Sequence, residues 1–142
     1  MDEKRSAEFL EIPELVMTHI KVRGLFGREK FRRAVRTSGE LRFYSEYLGK
    51  EVIVPKDFLS DGASIPQPFW WLWNPFGAYL ESAVLHDYFC RLGKAWDSPI
   101  NFKEAAYLFG EAMITQGVSL RQAKIMVTMV LIFGPKFAAQ SK

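Results

Sequence analysis

The stretch FLSDGASIPQPFWWLWNPFG, residues 58–77, constrains the fold more than any other. Pro66, Pro68 and Pro75 each lack an amide donor, so neither a long helix nor a central strand can run through it. Gly62 permits a backbone turn that other residues resist. The stretch is a loop by composition, and the hydrophobic pattern differs on its two sides. Before it the pattern is that of strands; after it, that of helices.

In LVMTHIKV, residues 15–22, Val16, Thr18, Ile20 and Val22 alternate with Leu15, Met17, His19 and Lys21, the period of a half-buried strand. EKFRRAVRT, residues 29–37, is expected to be a second, more exposed strand. ELRFYSE and KEVIVP flank YLG, which predicts a hairpin with Gly49 near its turn and Pro55 closing the second strand. After the loop, YLESAVLHDYFCRLG reads as a helix that stops at Gly93. NFKEAAYLFGEAMITQG starts on Asn101 as N-cap with Glu104 three residues on, and ends at Gly117. SLRQAKIMVTMVLIFGP has Ser119 as N-cap and Gly134-Pro135 as its stop. The short link at Gly117 and Val118 forces the last two helices to turn sharply on each other. The predicted fold is therefore α+β: N-terminal antiparallel strands with a hairpin, then three C-terminal helices. At 142 residues the expectation is one domain, with 1–14 a flexible N-terminal segment, 15–58 the β-rich part and 59–142 the loop and helices.

Composition narrows the setting. Hydrophobic residues make up 49% of the chain, enough for a packed core. Cys90 is the single cysteine, which rules out an internal disulfide and favours a reducing compartment. The charged start MDEKRSAEFLEIPEL lacks the apolar run of a signal peptide, so secretion by that route is not expected. The longest apolar run, IMVTMVLIF at 125–133, is far short of the roughly 20 residues that span a bilayer, and no transmembrane segment is expected. The last helix is nonetheless apolar nearly all round. It is either buried centrally, the favoured reading, or docked on a protein partner or a membrane surface. Residues 21–36 hold seven bases against the single acid Glu29, and 119–142 hold four bases and no acid. Such a distribution suits a basic surface for nucleic acid or acidic lipid, though a solvated strand face with ordinary helix-end lysines accounts for it as well.

Candidate chemistry gathers in the loop and the first helix. Asp61 and Ser64 can bond nearby backbone amides in a turn, or serve as reactive groups. His86 shares a helical stripe with Ser82 and Cys90, and Asp87 lies about 100° further round. The candidate catalytic set is His86, Asp87, Asp61 and Ser64, with His86 as general base, an Asp orienting it and Ser64 as the hydroxyl. Asp61, His86 and Asp87 could also hold one divalent metal ion, but a multi-histidine zinc site is not expected because the other histidine, His19, is on a different element. A buried His–Asp arrangement that ties the loop to the helix explains the same residues. Phe69, Trp70, Trp71 and Trp73 either wall a pocket or form core. No phosphate loop, paired-cysteine motif or dinucleotide fingerprint is present.

VIVPKDFLSDGASIPQPFWWLW, GAYLESAVLHDYFC and KEAAYLFGEAMITQGVS, in that order, resemble an uncharacterised family of tailed-phage, prophage and bacterial proteins, domain of unknown function thirteen fifty-three. The resemblance covers about residues 50 to 119. The family's Asp-Gly-Ala-Ser falls on Asp61, Gly62, Ala63 and Ser64, and its His-Asp on His86 and Asp87. Three positions depart from it: Asp57 replaces a Gly, Ser60 replaces a Thr, and Ala106 replaces an Asp. If that carboxylate completes a site, this chain has lost it. The resemblance implies a phage context, in the host cytoplasm or the virion, more than it implies an activity. Two function classes follow: a small Asp/His hydrolase, or a non-enzymatic virion or host-target-binding protein that meets other phage or host proteins through the apolar C-terminal helix.

Overall fold

A computed structural model describes residues 5–23, 27–60, 80–92, 94–95 and 98–134. The strands come first: β1 (Glu8–Glu11), β2 (Leu15–Arg23), β3 (Glu29–Thr37), β4 (Leu41–Ser45), β5 (Lys50–Val54) and the short β6 (Leu59–Ser60). Helix α1 (Leu80–Leu92) follows, then a small ribbon of β7 (Lys94–Ala95) and β8 (Ser98–Pro99), then α2 (Phe102–Thr115) and α3 (Leu120–Phe133). The fold is α+β, as the change of pattern predicts.

The strands pair antiparallel in two three-stranded sheets, ordered β1-β4-β5 and β2-β3-β6. In β4, Leu41, Phe43 and Ser45 are buried and alternate with half-buried Arg42 and Tyr44. Phe43 faces Val52 and Leu41 faces Val54 across the β4–β5 hairpin, so one face of that sheet supplies apolar side chains to the core. Gly49 closes this hairpin with φ of +67°, a conformation that disfavours any residue with a Cβ. β1 falls within the segment expected to be flexible. It pairs with β4 and sets the Phe9 ring 4.8 Å from that of Phe43.

β2 and β3 form a hairpin of nine paired positions. Leu15 and Met17 pack on the core, and His19, on the same face further out, is exposed. Thr37 ends β3 and clamps the chain that leads to β6. Its hydroxyl donates to the Pro55 carbonyl at 2.8 Å and accepts from the Phe58 amide at 2.9 Å.

The capping box on α2 forms as expected: the Asn101 side chain accepts from the Glu104 amide while the Glu104 carboxylate accepts from the Asn101 amide. Ser119 caps α3, accepting from the Gln122 amide. Between these helices, Gly110 permits close approach, since a Cβ there would lie 2.6 Å from Val127 Cγ2. Helix α1 is the central one, buried from Ser82 through Phe89. Central burial does not extend to α3, where only Ala123, Met126 and Val130 are buried and Leu120, Ile125 and Phe133 stand exposed. The short αα-hairpin link explains this: it lays α3 along α2, its main contact, while α2 in turn packs on α1, β1 and β4.

Candidate functional site

A carboxylate and an imidazole sit side by side in sequence at the centre of α1, and both are buried, Asp87 at 2% and His86 at 1% exposure. Adjacent helical positions diverge by about 100°, so the two side chains meet different neighbours.

Asp87 faces β6. Its Oδ2 accepts the Ser60 hydroxyl at 2.6 Å and lies 3.4 Å from Arg91 Nε. Arg91 also donates to the Leu59 carbonyl at 2.7 Å, and its guanidinium lies over the Phe58 ring. Phe58 in turn meets Tyr88 edge to face at 5.3 Å. One helical face, Asp87, Tyr88 and Arg91, thus grips Phe58, Leu59 and Ser60. A buried carboxylate without such partners would be costly; a hydroxyl and a guanidinium offset that cost. Ser60 thus supplies a hydroxyl donor to Asp87.

His86 faces α2. Its ring stacks on Phe109 at 4.8 Å and 29°, and the Cys90 thiol lies 3.6 Å from Nε2 and 3.8 Å from Nδ1. Burial pushes the imidazole pKa down from 6.5 to about 4, so the ring is neutral at physiological pH. Among the described residues no hydrogen bond joins His86 to Asp87. Ala106 is fully buried, one turn before Phe109 on the same side of α2. A family carboxylate at this position would belong to the face on which His86 packs.

Ser82, on the His86 stripe, is buried and donates to the Gln116 side chain, whose amide reaches Glu81 at 2.9 Å. This ties α1 to the end of α2. Asp61 and Ser64 lie outside the described residues, as do Phe69, Trp70, Trp71 and Trp73. Among the described residues no group of three or more His, Cys, Asp or Glu side chains could hold a metal ion. Asp87 Oδ2 faces the Arg91 guanidinium and the Ser60 hydroxyl. Sequence reasoning picked out His86 and Asp87 but missed Ser60 and Arg91 as partners. A buried carboxylate requires donors, and Arg91, four residues on from Asp87, carried that signal.

A family model for proteins of unknown function, DUF1353, matches residues 38–130. The chain belongs to this family. The DUF1353 span begins just after β3 and contains the whole grip of α1 on β6; the basic β2–β3 hairpin precedes it. The chain is similar to two uncharacterised proteins of Sinorhizobium fredii. It is 41% identical to y4jT over 93 residues, which is 63% of this chain and 26% of that protein. It is 34% identical to y4iH over 87 residues, 58% of this chain and 33% of that protein. The chain thus spans about a quarter to a third of the curated relatives it matches. No solved structure matches it. Among the described residues no helix is long and apolar enough to cross a membrane.

Proposed function

We propose that this DUF1353 chain is a non-enzymatic phage-type protein, a virion component or a binder of a host target, in which Asp87 and His86 hold the fold together. The commitment of Asp87 carries this reading: its Oδ2 is shared by Ser60 and Arg91, which join α1 to β6. A general base needs an orienting acid and access to a proton, whereas His86 is sealed against Phe109 and held neutral by burial. Ala106, where the family pattern has Asp, further supports it, because a methyl group cannot replace a catalytic carboxylate. The resemblance of the SDGAS and HD motifs to phage proteins supports the setting, host cytoplasm or virion.

The test combines location with mutation. Mass spectrometry of purified particles, or a pull-down from host extract with the tagged chain, is expected to find the protein or a partner; failure of both sinks the reading. Asp87→Ala, which strands the buried Ser60 hydroxyl and takes this ion pair from the exposed Arg91, should cost about 2 kcal/mol by chemical denaturation. His86→Leu should leave particle incorporation or partner capture intact.

One observation favours a second reading, a small Asp/His hydrolase that uses one divalent metal ion. Ser60, bonded to Asp87, immediately precedes Asp61 in the chain, so both family motifs converge on one carboxylate. Chromogenic esters and phosphoesters, assayed with Mg²⁺, Mn²⁺ or Zn²⁺, test it directly. Turnover that disappears in a folded His86→Leu protein would replace the non-enzymatic reading.

A further inference from the structure

Helices α2 and α3 form a hairpin, and beside it runs a groove of about 880 Å³. Tyr47 from the β4–β5 turn, Tyr107 and Ile114 from α2, and Leu120, Val127 and Leu131 from α3 wall it. Leu120 is 59% exposed and Tyr107 48%, although both line this concave surface. On α3, Ile125 and Phe133 are exposed as well, at 52% and 65%. A helix apolar nearly all round therefore buries one side only, next to an apolar groove.

Charge selects what covers it. Glu46 and Glu111, the latter bonded to Ser45 and Tyr47, line the groove against one base, Lys124, and Glu104 extends the Tyr107 and Ile114 face of α2 at helical-neighbour spacing, so acid outweighs base there. These acids repel an acidic lipid surface, and a flat bilayer does not fill a concave groove. The complementary occupant is a helix with apolar sides and only basic charge. α3 is itself such a helix, carrying Arg121 and Lys124 and no acid.

We propose that two copies of this chain pair through α3 about a two-fold axis, each α3 seated in the other's groove. The pairing is antiparallel. Because α2 and α3 run in opposite directions, an antiparallel second α3 runs along α2 and carries its Arg121 and Lys124 toward the Glu104 end. A parallel pair would instead crowd four bases at one end. Such an interface is isologous and closes on itself, which suits a stable dimer. The proposal is independent of whether His86 and Asp87 are catalytic.

Analytical ultracentrifugation of the full chain tests it. A concentration-dependent dimer is expected, weakened at least tenfold by Leu120→Glu or by Tyr107→Glu while far-UV circular dichroism stays unchanged. Oxidative cross-linking tests the orientation, with the parent chain and its Cys90 as control. Thr128→Cys, exposed near the middle of α3, should give a disulfide-linked dimer. Arg121→Cys should not, because antiparallel helices hold the two copies of that residue about 18 Å apart, well beyond the roughly 7 Å Cα reach of a disulfide. A monomer at every concentration up to about 100 μM, no tighter than a weak encounter, would overturn the proposal. So would a monomer that sediments with acidic vesicles, or cross-linking through Arg121→Cys alone.

Discussion

His86 is a titratable group placed where it cannot comfortably titrate. Desolvation lowers its pKa from 6.5 to about 4. Below pH 6.5 the unfolded chain accepts a proton on His86 that the folded chain refuses until about pH 4. The unfolded state therefore binds more protons across this window, and stability falls as pH drops through it. The full loss is on the order of 3 kcal/mol. Above pH 6.5 the residue contributes no slope. Urea unfolding of wild type and His86→Leu between pH 7 and 4.5 checks this: the decline with acid should be distinctly shallower in the variant. Equal slopes would mean that the folded imidazole takes up its proton normally. Asp57 poses a different problem, because it has a φ of +65°, where side-chain-bearing residues are strained. This chain offsets part of the strain through the Asp57 carboxylate, which accepts from Arg36 at 2.8 Å. Asp57→Gly relieves strain but loses an exposed ion pair, so its net effect should stay within about 0.5 kcal/mol. Asp57→Ala keeps the strain and loses the pair, and should cost about 1 kcal/mol. Thermal denaturation of both variants should place Ala below Gly.

At the scale of elements, Gly110 sets how closely α2 and α3 approach. Gly110→Ala would bring a methyl against the stiff, branched Val127, 2.6 Å from its Cγ2. Overpacking of about 1–3 kcal/mol should outweigh the roughly 1 kcal/mol that alanine gains in helix propensity. In a Val127→Ala background the clash disappears, and Gly110→Ala should become stabilising by denaturant midpoint. The elements most legible in the sequence were those whose signal is local. Alternation in 15–22, the hairpin flanking YLG, Pro55 after β5, and the Asn101 and Ser119 caps all act within a few residues. β1 was not legible, since EFLE shows no clear alternation and is a strand because Phe9 and Glu8 pair with β4, some thirty-five residues away. The division into two sheets was hidden for the same reason: pairing is long-range. In α3 the all-round apolar pattern could not say which face was covered, and the pattern suggested more burial than the helix has. The candidate site was legible as residue types at His86 and Asp87. Their divergence, one toward Phe109 and the other toward Ser60, depended on where α2 and β6 packed.

For the whole molecule the decisive matter is whether the β-rich and helical parts fold as one unit. They share a single hydrophobic core, in which Phe43, Val52 and Val54 of the sheet join Val84, Phe89 and Leu108 of the helices. Polar clasps join the same parts at two places. Asp87 and Arg91 hold β6. Glu111 of α2 accepts the Ser45 hydroxyl at 2.7 Å and the Tyr47 amide at 3.0 Å at the end of β4. With apolar and polar contacts crossing between the parts, neither can open without exposing core and orphaning buried donors. One cooperative transition is therefore expected. Leu108→Ala, within α2 and fully buried, tests it cleanly. The cavity should cost about 3 kcal/mol, and native-state hydrogen exchange then reads where that loss is felt. If the molecule is one unit, the slowest amides of β4 and β5 lose the same opening free energy as those of α2, although Leu108 belongs to neither strand. Two independently stable units would leave the β4–β5 amides at their wild-type protection, and the shared core would then be a docking surface between domains.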